Sequence, residues 1–206
     1  MFTRKITAAL AICAAFGTPV GAQTKSDTLQ VDFVVDGVAG VFEQSFSLNT
    51  AQIASHYRPS ASCNGPCVAP LSAARDVVTI AEREVIEFVT GQIANGTGLL
   101  VDSRDPDNRA TGFIAASLNI PTALLRKNNP FLNDILMAMG GQVTDGTLTF
   151  AQALPIVVFD DGPSTGDAPA FINLLIDEGY PADKLSYYRG GMLVWTALGL
   201  STNSKP

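Results

Sequence analysis

The sequence predicts an α/β fold: a mainly parallel sheet with helices on both faces, preceded by an N-terminal extension. Three observations carry this. From Val77 to the C-terminus, short apolar runs alternate with stretches of helical periodicity, the order that builds strand–helix–strand units. The run Pro155-Ile-Val-Val-Phe159 leads into Asp160-Asp-Gly-Pro-Ser-Thr-Gly-Asp-Ala-Pro169, the layout of a strand, a tight loop and a helix start. Residues 23–75, by contrast, carry hairpin and loop signals without that alternation.

The first element is a leader. Arg4 and Lys5 precede an apolar run from Ile6 to Phe16, and Val20-Gly-Ala22 stands before Gln23, which is the layout of a secretory signal peptide over residues 1–22. The run is too short to span a bilayer. A single Arg-Lys pair is not a twin-arginine signal, and Ile12 before Cys13 does not fit a lipid attachment site. The expectation is a periplasmic or secreted protein with no membrane anchoring once the leader is removed.

Residues 23–75 form the extension. Val31-Asp-Phe-Val-Val35 and Val41-Phe-Glu-Gln-Ser-Phe46 flank Asp36-Gly37, a hairpin signal. Leu48 to Ala74 has little periodicity and is expected to be a wandering loop that wraps over the main domain.

The domain of residues 76–206 follows. Val85, Ile86, Val89 and Ile93 fall on one helical stripe that Asn95-Gly96 ends. Leu99 to Val101 is a short buried strand ending at polar Asp102. A helix is expected within Asn128 to Met139, with Phe131, Ile135, Leu136 and Met139 facing inward. Asp145-Gly146 marks a second hairpin before the strand at Pro155–Phe159. Phe171, Leu174 and Leu175 mark the next helix, Leu185 to Tyr188 the last strand, and Met192 to Leu198 the last helix.

Charge excludes one class of partner. The whole chain has a formal net charge of −6, and loss of the leader removes Arg4 and Lys5, leaving a more acidic product. No basic stripe offsets this, so nucleic acid is not an expected partner. No dinucleotide or phosphate-loop fingerprint occurs, and no cofactor is expected.

Three blocks carry a resemblance to a known family. They are Leu99-Leu-Val-Asp-Ser-Arg104 with Gly112-Phe-Ile-Ala-Ala-Ser-Leu-Asn-Ile-Pro121, the loop after Phe159, and Tyr188-Arg-Gly-Gly-Met192 with Trp195 and Gly199-Leu200. In this order, from about Val77 to Thr202, they resemble the rhodanese-like sulfurtransferases. The resemblance implies that Asp160 occupies the position of the family's nucleophilic cysteine. Thr165 takes the position of a second cysteine found in some periplasmic relatives, and Phe113 that of a histidine. Sulfur transfer needs a polarisable thiolate, which a carboxylate cannot supply.

The resemblance also implies an anion-binding loop of Asp160, Asp161, Gly162, Pro163, Ser164, Thr165 and Gly166. Inward N–H groups and a helix N-terminus would cradle an anion there. The Asp160 carboxylate would fill that cradle and repel a sulfur anion, with Asp161 and Asp167 adding to the repulsion. A phosphoryl-accepting aspartate would call for magnesium and basic groups, and this loop has no lysine or arginine. Ser164 would need a base, and the only histidine, His56, reads as a solvated residue of the extension. Asp102 and Arg104 match a strand-end pair that ties loops together. Arg189 would reach an anion in the loop or pair with a nearby aspartate, while Trp195 would pack the last helix and line one pocket wall.

Two cysteines remain after leader removal, in Ser62-Cys-Asn-Gly-Pro-Cys67. In an exported chain Cys63 and Cys67 favour a disulfide that staples the extension. Redox chemistry is the alternative, although three intervening residues depart from thioredoxin-like spacing. A closed zinc site lacks ligands, so no metal is expected. The function expected is binding or scaffolding of an unidentified protein, or of a small thiol or sulfur anion, without sulfurtransferase activity. Thiol or sulfur redox chemistry through Cys63 and Cys67 is the other reading.

Overall fold

The computed structural model describes residues 29–57 and 68–204. The expected leader and the Cys63–Cys67 pair lie outside those residues.

The extension begins with a hairpin, β1 (Gln30–Val35) paired antiparallel with β2 (Val38–Glu43). Its two-residue turn places Asp36 and Gly37 at φ 50° and 77°, the left-handed pair that matches strand twist. The segment expected to be a loop instead contains a helix, α1 (Thr50–His56). Asn49 starts it by accepting the Gln52 N–H at 3.1 Å. Seven residues are too few for a strong periodic signal, so tertiary packing on the final helix decides this segment.

The domain then runs β3 (Val78–Ile80), α2 (Glu82–Phe88), β4 (Leu99–Asp102), α3 (Pro106–Arg109), β5 (Ser117–Asn119) and α4 (Leu132–Ala138). It continues through the hairpin β6 (Gln142–Thr144) and β7 (Thr147–Thr149) to β8 (Ile156–Phe159), α5 (Asp167–Asp177), β9 (Leu185–Tyr188) and α6 (Gly191–Ala197). A π-helical turn, Val89–Ile93, extends α2, so the stripe Val85, Ile86, Val89 and Ile93 remains buried despite the change in pitch. Phe131 corrects one expectation. It precedes α4 and is 65% exposed, while Leu132 turns inward with Leu136 and Met139.

Five strands form one parallel sheet in the order β3-β9-β8-β4-β5. Strand alternation divides the core. Val157 and Phe159 of β8 face α2, α6 and the extension hairpin, together with Phe33, Phe42 and Trp195. Ile156 and Val158 face α4 and α5, with Leu136, Phe171, Ile172 and Leu175. Ile80, Tyr188, Phe159, Asp102 and Asn119 stand level across the sheet. The loops that follow therefore leave from one carboxyl edge, where open α/β sheets place their sites.

Candidate functional site

The loop after β8 is built on the Asp160 side chain. Asp160 is fully buried; its Oδ1 accepts the Gly162 N–H at 2.8 Å and its Oδ2 the Ala168 N–H at 3.0 Å. Ala168 lies in the first turn of α5, so the carboxylate takes up a helix N-terminal donor. Thr165 tightens the turn, its N–H and hydroxyl both donating to the Gly162 carbonyl at 3.0 and 2.8 Å. Burial pushes the Asp160 carboxyl up to about 7, against the pull of the Ala168 and Gly162 N–H groups and the Thr165 hydroxyl. Burial likewise raises Asp167, with the Asp105 and Asp161 charges adding to it.

The loop main chain is fixed from behind by α6. The N–H groups of Met192 and Leu193 donate to the Asp160 and Asp161 carbonyls at 3.0 and 2.9 Å. That approach explains Gly191, at φ 56°: a Cβ there would collide with the Asp160 carbonyl and the Gly162 nitrogen.

Asp161 points into a different environment. Its Oδ1 accepts from Arg104 Nη1 at 2.9 Å and from His56 Nδ1 at 3.2 Å. Arg104 is fully buried and spends every N–H it has. Nε and Nη2 grip the two Asp102 oxygens at 2.8 and 2.7 Å, and Nη1 reaches Asp161. The remaining donors go to the Asn108 and Gly112 carbonyls at 3.2 and 2.8 Å. Burial lowers the Arg104 pKa, but the bonds and charges of Asp102 and Asp161 outweigh it, so the net shift is upward. Arg109 completes the cluster, donating to Asp102 Oδ2 at 3.1 Å and to Ser117 Oγ at 2.9 Å. Its guanidinium lies 3.7 Å above the Phe113 ring. Phe113 thus supports a buried cation.

Several sequence expectations change here. His56 is not solvated: it is fully buried and bonded to Asp161 across 105 residues. Asp161 is not a bare repulsive charge, because a guanidinium and an imidazole face it. Among the described residues, Arg189 bonds neither the loop nor an aspartate; its guanidinium donates to the carbonyls of Ala69 and Pro70 at 2.9 and 3.2 Å. Trp195 is fully buried between Phe42 and Tyr188, and its Nε1–H donates to the Ser201 carbonyl at 2.9 Å. Ser164 lies in the loop with its hydroxyl unpartnered. The extension crosses the site at a further point, where the Ala69 N–H donates to the Pro163 carbonyl at 2.6 Å.

Sequence reasoning missed His56 and understated Arg104. The local signal at His56 was the Asn49 cap, which marks a helix but not what its last residue touches. Arg104 stood in a recognised pair, yet its second carboxylate comes from a loop 57 residues away. Among the described residues, no group of three or more His, Cys, Asp or Glu side chains is arranged to hold a metal ion.

The rhodanese-like domain family matches residues 87–198. No curated protein matches the chain. Similar solved structures include a rhodanese-related protein from Thermoplasma volcanium, at 19% identity and TM-score 0.41, covering 62% of this chain and 99% of that one. A protein of unknown function from Rhodopseudomonas palustris, a possible tyrosine phosphatase, has 18% identity and TM-score 0.45 over 64% of this chain and 88% of its own. The human single-domain sulfurtransferase has 21% identity and TM-score 0.38 over 58% and 95%.

Proposed function

The chain belongs to the rhodanese-like domain family, and from that premise we propose that it is an exported member without sulfurtransferase activity, acting in binding or scaffolding. Asp160 stands in the place of the family's nucleophilic cysteine. One observation supports this above the others: the Asp160 carboxylate takes the Gly162 and Ala168 N–H groups for itself. A persulfide or a donor anion would need those same donors. A carboxylate has no sulfur to carry and repels a sulfur anion.

The test is transfer of sulfur from thiosulfate to cyanide. Wild-type protein should show none. Asp160→Cys should give a thiol that alkylates readily beside the α5 N-terminus, with little or no turnover, because Asp167 still disfavours an anionic donor. Wild-type turnover that Asp160→Asn abolishes would make the carboxylate catalytic and end this reading.

A second reading, thiol redox chemistry through Cys63 and Cys67, is favoured by a separate observation. The described residues on either side of that pair meet the loop, His56 at Asp161 and Ala69 at Pro163. Counting free thiols in the exported protein separates the two. A permanently oxidised, unreactive pair supports binding, and a pair that cycles with a dithiol supports redox chemistry.

A further inference from the structure

The open end of the extension hairpin, α2 and the end of α6 leave a groove of about 490 Å³ between them. That is within the range of small-molecule sites, about 300–1,000 Å³. Strand alternation turns Leu29 and Val31 to the face that carries Phe33, but of these only Phe33 is buried, stacked on Phe42. Leu29 and Val31 stay partly exposed and line the groove. Ile86 of α2, with Leu198 and Leu200 at the end of α6, completes the apolar lining. The groove shares no residue with the loop of residues 160–166.

We propose that this groove binds an amphiphilic amine, an apolar chain that ends in an ammonium group. Glu82 supplies the counter-charge. It precedes Ile86 by four residues on α2, so the carboxylate and part of the apolar lining share one helix face. Glu82 Oε1 accepts the hydroxyl of fully buried Tyr188 at 2.9 Å, which fixes the carboxylate at the groove. Among the described residues, its other oxygen accepts no bond and no cation pairs with it. The cation in the lining, Arg83, is engaged elsewhere, its Nε donating to Glu87 at 2.9 Å.

This arrangement discriminates by charge. An ammonium gains a charge-assisted hydrogen bond to a carboxylate that is already held in place. A fatty carboxylate would face both Glu82 and Glu87, with the one guanidinium already paired. A neutral chain finds the same apolar walls but gives Glu82 no counter-charge. The formal net charge of −6 on the whole chain adds long-range attraction for a cation. Binding here is non-covalent and does not rest on the reading of Asp160.

Titration calorimetry of the full exported chain with octylammonium, octanoate and 1-octanol at neutral pH tests this. Octylammonium should bind at one per chain, about tenfold tighter than 1-octanol, and octanoate should bind more weakly than either. Glu82→Gln keeps an acceptor for Tyr188 and should weaken octylammonium about tenfold, to the level of 1-octanol. Leu198 is 43% exposed, so Leu198→Gln should fold normally. It should weaken octylammonium and 1-octanol alike, by about threefold or more. Several weak sites that Glu82→Gln leaves unchanged, a preference for octanoate, or full affinity in both variants would each overturn the proposal. So would a dimer, seen by sedimentation, that Leu198→Gln dissociates, because a second copy would then fill the groove. Sulfur transfer assayed on the same preparation reports on the loop independently.

Discussion

Asp160 and Asp161 are adjacent, both buried, and placed in opposite electrostatic settings. Asp160 accepts hydrogen bonds from neutral donors only, two backbone N–H groups with the Thr165 hydroxyl beside them. Asp161 accepts from a guanidinium and an imidazole. The peptide between them directs one side chain to the start of α5 and the other to the strand-end cluster. A single loop therefore holds a neutral-donor cradle and a charge-paired support. The difference teaches that a count of acidic residues says little about a loop's field. What counts is which carboxylate faces a guanidinium or a ring nitrogen, and here both of those partners come from distant parts of the chain.

Removing the cation from the paired side should produce the largest effect. Arg104→Met deletes the charge between Asp102 and Asp161 and strips partners from the Asn108 and Gly112 carbonyls. Breaking a buried pair by removing one partner costs about 3–5 kcal/mol, and two carboxylates lose a partner here. Arg109 keeps a bond to Asp102, and Asp161 keeps its bond to His56 but loses its guanidinium. Urea unfolding of the variant should show a loss of at least about 3 kcal/mol or no folded state. A loss under about 1 kcal/mol would mean that the cluster is not the support described above.

The cradle side is broken by pH. The Asp160 pKa rises from an ordinary 3.8 to about 7 on folding, so the native state binds a proton that the unfolded chain has released. Its contribution to stability is fully present below 3.8 and is lost as pH rises through about 7. The loss amounts to at most about 4 kcal/mol, at 1.36 kcal/mol per unit. Asp160→Asn removes that titration. The stability difference between wild type and variant, measured by urea unfolding at pH 4 to 8, should shift toward the variant as pH rises. A difference that stays flat across this range would place the carboxyl in an ordinary acidic environment.

The same division governs what was legible in the sequence. Both hairpins were readable because Asp36-Gly37 and Asp145-Gly146 are local signals, and all four residues have positive φ. The sheet strands were readable as short apolar runs, since β4, β8 and β9 lie inside the sheet and bury side chains on both faces. The Asp160 cradle was readable too, because Gly162 and Ala168 lie within eight residues of it. The paired side was not. His56, Arg104 and Asp161 are far apart in sequence, and each alone is one polar residue among many. Phe131 and Leu132 show the same limit on a smaller scale, because adjacent apolar residues at a helix start leave the inward one undetermined.

The smallest expected effect sharpens the comparison at the seam between extension and domain. Arg189 was a candidate ligand for an anion in the loop, yet its guanidinium serves the carbonyls of Ala69 and Pro70. Those residues lie next to the Ala69–Pro163 bond, so Arg189 pins the extension where it crosses the cradle side. The side chain is only half-buried, and bonds to two carbonyls from such a group are worth about 1 kcal/mol net. Arg189→Ala should therefore lower global stability by no more than about 1 kcal/mol. Amide hydrogen exchange in Val68 to Leu71 should nevertheless rise, because local opening there no longer breaks those bonds. Exchange at Gly162 and Ala168 should stay slow, since the Asp160 carboxylate holds those N–H groups from within the domain. If Gly162 and Ala168 also exchange faster, the extension is what keeps the cradle closed, and the two sides of the loop act as one unit.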